Sequence, residues 1–139
     1  MAKTFHVEIV SPQRMVYEGE AESVTLPGSV APFQVLYNHA PILTELEVGD
    51  IRIVDAAGHE VHVATSGGFA EVKENRMTVI AEAAEASSEI DPKRAEQARQ
   101  RAMERVMAAR QNPRSDIDML RAEAALARAT NRLKVLDRA

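Results

Sequence analysis

The 139-residue chain contains no cysteine and no tryptophan. Disulfides, thiolate metal centres and cysteine nucleophiles are thereby excluded. Aromatics are few, three Phe and two Tyr, and none follows Phe69, so the second half offers no platform for stacking bases. No apolar run approaches the roughly 20 residues of a membrane-spanning helix. The stretch from Met1 to His6 is not apolar in the manner of a signal peptide, and the expected compartment is cytoplasmic. The four histidines are His6, His39, His59 and His62, with no i, i+4 pair among them. His59 and His62 bracket an expected strand and fall on its opposite faces, which argues against a shared metal. No nucleophile–base set is present. Ser66-Gly67-Gly68 lacks a G-x-S-x-G context and reads as a tight turn. The expected protein is not an enzyme and requires no cofactor.

Charge divides the chain near residue 90. Residues 1–92 carry 5 Lys/Arg against 15 Asp/Glu, a net of −10. Residues 93–139 carry 12 against 6, a net of +6, and the whole chain stands at −4. Such asymmetry predicts two modules with different tasks.

The acidic module alternates like a sheet. Phe5, Val7 and Ile9 alternate with His6 and Glu8 before Ser11-Pro12 breaks the run. Val16 to Leu26 reads as a strand pair punctuated at Gly19, closed by Pro27-Gly28. Ile42, Leu43 and Leu46 precede an expected turn at Gly49-Asp50. Ile51 and Ile53 then form a hairpin with Val61 and Val63 across Ala56-Ala57-Gly58. Phe69, Val72 and Met77 to Ile80 supply the last strands. Short strands at roughly 8–12-residue spacing indicate an antiparallel β-sandwich or barrel, expected over residues 1–86.

The basic module, expected over 87–139, reads as two helices at about 91–111 and 116–137. Asp91 is an N-cap with Pro92 at the first helical position. Ala95, Ala98, Ala102, Val106 and Ala109 recur at three- and four-residue steps, and Asn112-Pro113 ends the helix. Ser115 with Asp118 resembles a capping box. The second helix is expected to bury Ile117, Leu120, Ala124, Ala127, Leu133 and Leu136. A short connection makes the pair an antiparallel hairpin. At about 25 cal/mol per Å², an Ala stripe supplies little, and two such helices are marginal alone. The hairpin is therefore expected to be a mobile element held by something else. Its positive charge admits a solvated face, an acidic protein surface or a phosphate ligand.

The run Asn38-His39-Ala40-Pro41-Ile42-Leu43, then Gly49, then Ser66-Gly67-Gly68-Phe69-Ala70-Glu71-Val72, resembles the epsilon subunits of F-type proton-translocating ATP synthases, in order and spacing and over essentially the whole chain. The resemblance implies a non-catalytic subunit of the rotary central stalk, with a sandwich of about ten strands. It implies binding to the gamma subunit, with His39 a candidate contact, and to the c-subunit ring. It also implies a C-terminal hairpin that folds on the sandwich or extends into the alpha/beta catalytic head, where it inhibits ATP hydrolysis. The implied location is peripheral, on the cytoplasmic face of the bacterial inner membrane. One loop departs from the family's Gly-rich acidic pattern. Here it reads Gly28-Ser29-Val30-Ala31-Pro32-Phe33-Gln34, and Val30, Ala31 and Pro32 take the ring-facing positions. Pro32 fixes its own φ and restricts Ala31.

The resemblance carries a nucleotide motif as well. Some bacterial epsilon subunits bind ATP as a regulatory ligand in the folded hairpin. The matching positions are Glu85, Ile90, Asp91, Arg94, Ala95, Arg101, Arg128 and Arg132. Arg128 and Arg132 share a helix face, as do Arg94 and Arg101. In an antiparallel hairpin Arg94 and Arg132 come together where guanidinium groups grip a polyphosphate. The same pattern recurs at Ile117-Asp118-Met119-Leu120-Arg121-Ala122, and capping alone generates it. Two alternatives stay open: a purely structural coupling subunit without ATP sensing, and a small nucleic-acid-binding β domain with a basic helical tail.

Overall fold

The computed structural model describes residues 3–139; Met1 and Ala2, which open the first expected module, lie outside the described residues. Seven strands are followed by a short 3₁₀ turn and two helices. They are β1 (Phe5–Val10), β2 (Met15–Leu26), β3 (Phe33–Leu36), β4 (Ile42–Asp55), β5 (Glu60–Lys73), β6 (Arg76–Ala81), β7 (Ala84–Ala86), the turn Ser87–Glu89, α1 (Pro92–Gln111) and α2 (Met119–Arg138).

Pairing closes the sheet on itself. The strands run β1-β6-β5-β4-β2-β3, and β1 also pairs β2, so five strands form a ring with β3 on β2 and β7 on β5. Closure of the ring leaves unpaired edges on the short strands β3 and β7, where exposed edges do least harm. The alternation expected for β1 is realised, with Phe5, Val7 and Ile9 buried. Sixteen buried side chains, including Leu26, Ile51, Ile53, Met77 and Val79, make one continuous core inside the ring.

The count is seven strands, where the resemblance implied about ten. Strands β2, β4 and β5 span 12, 14 and 14 residues and run straight through Gly19, Gly49 and Ser66-Gly67-Gly68, all expected to be breaks or turns. Each long strand serves different partners along its length; β2 pairs β1 with its first half and β3 and β4 with its second. The glycines are there for close approach rather than termination. A Cβ on Gly49 would lie 2.5 Å from the Cβ of Pro27. Gly68 holds φ +138°, and a Cβ there would sit 2.1 Å from the Ile80 carbonyl oxygen. Only glycine meets both demands without strain. The turn expected at Ala56-Ala57-Gly58 does form, with Gly58 at φ +85°.

At the seam the Asp91 cap forms as expected. Its Oδ1 accepts from the backbone N–H groups of Lys93 at 3.0 Å and Arg94 at 3.3 Å. Helix α1 buries Ala95, Ala102, Val106 and Ala109, close to its expected stripe. Helix α2 differs. It starts at Met119, not near 116, because Asp118 is its N-cap and accepts from the Arg121 N–H at 3.2 Å. Ser115 stands in the preceding turn, its N–H bonded to the Asn112 carbonyl. The stripe is rotated accordingly: Ala122, Ala129 and Val135 are buried, whereas Leu120 is 79% exposed. Leu133 and Leu136 are half-buried at its border.

The hairpin docks on the sandwich through α2, which lies against β4 and β5. Val135 is fully buried in a small cluster with Ala64 of β5, Ile90 and Ala95. Beside it, Asn131 Nδ2 donates to the Gly49 carbonyl of β4 at 2.8 Å.

Candidate functional site

Where the hairpin leaves the sandwich, a cavity of about 430 Å³ opens between β7 and the two helices. Glu85, Ile90, Asp91, Arg94, Ala95, Arg101 and Arg132 line it, together with Glu89, Gln97 and Ala98. Seven of the eight residues picked out by the nucleotide motif are thus brought together. The eighth, Arg128, lines an adjoining cavity of about 140 Å³ with Arg14, Glu85, Asn131 and Arg132. Glu85 and Arg132 belong to both cavities and form an ion pair on their shared wall.

The elements explain the convergence. Glu85 is carried by β7, held at the side of β5 through the register Ala64↔Glu85. Arg94 and Arg101 are two turns apart on α1, so they point the same way. The antiparallel return of α2 puts Arg132, near its C-terminal end, beside the start of α1. Ile90 and Ala95 are buried and serve as floor. Asp91 is used by its cap, which leaves it an ordering role at the mouth. Three guanidinium groups around a polar cavity suit a phosphorylated ligand, since charge-assisted bidentate bonds are the strongest such a site can offer.

Sequence reasoning missed Glu89, Gln97 and Arg14. Arg14 sits in the β1–β2 turn, and its Nη2 lies 3.0 Å from Glu89 Oε2, a juxtaposition that only tertiary folding creates.

The remaining sequence-derived positions lie elsewhere. His39 is half-buried in the β3–β4 connection, its Nδ1 2.7 Å from the Ala40 carbonyl oxygen. That connection is tied to the β5–β6 turn by Asn38, whose N–H donates to Asn75 Oδ1 at 2.7 Å. Val30, Ala31 and Pro32 are exposed on the β2–β3 loop. Neither Ala31 nor Gln34 adopts a positive φ. The loop is instead folded tightly over Gly28, where a Cβ would stand 2.5 Å from the Ala31 carbonyl oxygen.

The outer face of the sheet carries two further features. Phe69 and Ile80, directly opposite each other on β5 and β6, are 53% and 61% exposed. Exposed Leu43 extends this apolar patch, with Glu45 and Glu71 at its rim. Among the described residues one His/carboxylate group brings its ligand atoms close together: His6, Glu8 and Glu18. His6 Nδ1 lies 3.0 Å from Glu20, and Nε2 lies 3.2 Å from both Glu8 and Glu18. The Glu20 bond raises the His6 pKa above the ordinary imidazole value; partial desolvation opposes it, and Glu18 and Glu8 reinforce it. Once protonated, the His6 ring is itself a cation among these carboxylates. His59 and His62 do not come together; His59 is exposed and His62 buried.

Residues 4–87 match the family model of the beta-sandwich domain of ATP synthase delta/epsilon chains, and residues 88–137 match that of their long alpha-helix domain. The chain belongs to the ATP synthase delta/epsilon family. It is 48% identical over 104 residues to the ATP synthase epsilon chain of Pelotomaculum thermopropionicum, covering 75% of this chain and 77% of that one. It is 42% identical over 100 residues to the epsilon chain of Brevibacillus brevis, covering 72% and 76%. A chain of the Euglena gracilis mitochondrial ATP synthase (OSCP/F1/c-ring) shares the fold at a TM-score of 0.77 and 18% identity, over 92% of this chain and 78% of that one. A member of the delta/epsilon family is a non-catalytic subunit of the ATP synthase central stalk. That assignment removes the nucleic-acid alternative. No helix of the described residues is long and apolar enough to cross a membrane.

Proposed function

We propose that this delta/epsilon chain couples rotation between the gamma subunit and the c-subunit ring, and that its hairpin is a nucleotide-sensitive brake on ATP hydrolysis. In this reading the folded hairpin binds ATP between α1, α2 and β7. The extended hairpin reaches the alpha/beta catalytic head and inhibits it. The complex sits on the cytoplasmic face of the bacterial membrane, and this subunit is peripheral.

The observation that carries the reading is the single cavity lined by Glu85, Asp91, Arg94, Arg101 and Arg132. It exists only while the hairpin is folded, because its walls come from the sandwich and both helices. A ligand selective for that state stabilises it by about 2.7 kcal/mol at a hundredfold excess over Kd. A hairpin closed on alanines is within reach of such a shift. The apolar patch at Leu43, Phe69 and Ile80, beside the His39 connection, supports a protein partner of gamma's kind. The exposed Val30-Ala31-Pro32 loop supports a ring contact that is apolar and stiff rather than ionic.

Two measurements test this. Calorimetry with millimolar ATP on the whole chain is expected to give binding heat that Arg94→Ala and Arg101→Ala remove; no heat, or no loss in either variant, refutes the nucleotide site. Truncation after Glu89 in the assembled ATPase is expected to raise hydrolysis, and an unchanged rate refutes the brake. The purely structural reading draws on one observation: Arg132 is already engaged by Glu85, so a phosphate must displace a carboxylate.

A further inference from the structure

We infer that the folded hairpin is held by an electrostatic latch, in which a buried Asp50–His62 pair on the sandwich receives Arg138 from the last turn of α2. This rests on the reading that the hairpin detaches. It concerns what holds the hairpin closed, at a place separate from the nucleotide cavity.

Asp50 lies on β4 and His62 on the neighbouring strand β5, and their side chains are 7% and 5% exposed. Asp50 Oδ2 lies 2.8 Å from His62 Nδ1, while Asp50 Oδ1 and His62 Nε2 are both buried without a hydrogen-bond partner. A carboxylate taken this far out of water is costly unless paired. The other charged groups nearby are Glu60 and Arg52. Glu60 Oε2 stands 3.7 Å from His62 Nε2. Arg52 is committed to Glu60, and its hydrogen bond lowers the Glu60 pKa. The further cation that reaches Asp50 comes from the hairpin: Arg138 Nη1 is 3.7 Å from Oδ2. Arg138 also lines the cavity of about 540 Å³ onto which Asp50 and His62 open.

The latch is in register with the rest of the docking surface. Asn131 and Arg138 are seven residues apart on α2 and share a face, with Val135 between them. Asn131 meets the carbonyl of Gly49, Val135 meets Ala64, and Arg138 meets Asp50. Asp50 and Ala64 are themselves a cross-strand pair. Polar pins at both ends of one small apolar contact locate the helix without holding it tightly, as a reversible closure requires. His62 acts as a positioning residue that aims the Asp50 carboxylate at Arg138.

Because the chain lacks cysteine, a label pair at Ser29→Cys and Glu123→Cys can report hairpin position by distance distribution in the full-length protein. Arg138→Gln is expected to raise the detached fraction about fivefold, the scale of a single disrupted pin. Arg138→Lys is expected to keep most of the closure. The double variant Asp50→Asn/Arg138→Gln is expected to add little to either single change, since both remove the same contact. Arg138 is at the exposed end of a helix, so its variant carries the test even if Asp50→Asn unfolds the sandwich. A detached population in the parent that Arg138→Gln leaves unchanged, or strictly additive effects in the double variant, overturns the latch alone. A single unbroadened distance in every variant, with and without ATP, overturns the detaching hairpin as well.

Discussion

The sandwich and the hairpin are built from side chains of different size, and that difference sorts their roles. Inside the ring, Phe5, Ile9, Leu26, Ile51, Ile53 and Met77 fill a closed core with large apolar groups. In the hairpin the buried positions are Ala95, Ala102, Val106, Ala109, Ala122, Ala129 and Val135. Each alanine returns little on burial compared with a leucine or isoleucine. Helices joined this way depend on the sandwich beneath them. On the proposed reading, a frame that transmits torque and an arm that comes and goes call for these two solutions.

The largest effect should come from breaking the frame. Ile53→Ala, in the middle of the core, is expected to cost about 2–5 kcal/mol of global stability, read as a lower urea midpoint for the whole molecule. An intact midpoint would mean that the ring does not depend on its core as described. Val135→Ala should separate the modules. It is expected to cost about 1–2 kcal/mol, confined to docking. The amide signals of Ala64 and Thr65 should shift toward an undocked state while the sandwich midpoint stays put. A matching drop in sandwich stability would erase the distinction between the modules.

The smallest effect is a dependence on pH, traced to His6 of the sandwich. His6 joins β1 to β2 through Glu20 and Glu18, and its folded pKa is raised, chiefly by Glu20. A group whose pKa rises on folding contributes stability fully below its unfolded value, about 6.5, and loses it as pH climbs through the folded value. Sandwich stability should therefore fall modestly as pH rises past about 6.5, and His6→Gln should flatten that slope. A slope that His6→Gln leaves unchanged would contradict this assignment.

Much of this division was legible in the sequence. The alternation of Phe5, Val7 and Ile9, the Ala56-Ala57-Gly58 turn, the Asp91-Pro92 cap and the stripe of α1 are local signals, and they were realised locally. The misreadings share one cause. Glycines such as Gly49 and those of Ser66-Gly67-Gly68 usually mark turns; here they clear space for Pro27 and the Ile80 carbonyl, which arrive from distant parts of the chain. In α2 the leucines suggested one face. The packed face is instead the one carrying Ala122, Ala129 and Val135, and Leu120, two residues before Ala122, falls on the opposite side of the helix. The nucleotide motif implied by the family resemblance named seven of the ten residues lining the cavity. The convergence of Asp50, His62 and Arg138 was not legible, since it depends on how α2 lies on the sheet.

Hydrogen exchange of the intact chain, with and without ATP, tests the central claim most directly. The account predicts that amides in the centres of α1 and α2 open orders of magnitude more readily than those of β4 and β5, and that ATP slows exchange in the helices while leaving the strands unchanged. Helices as protected as the strands, opening only with them and indifferent to ATP, would contradict it.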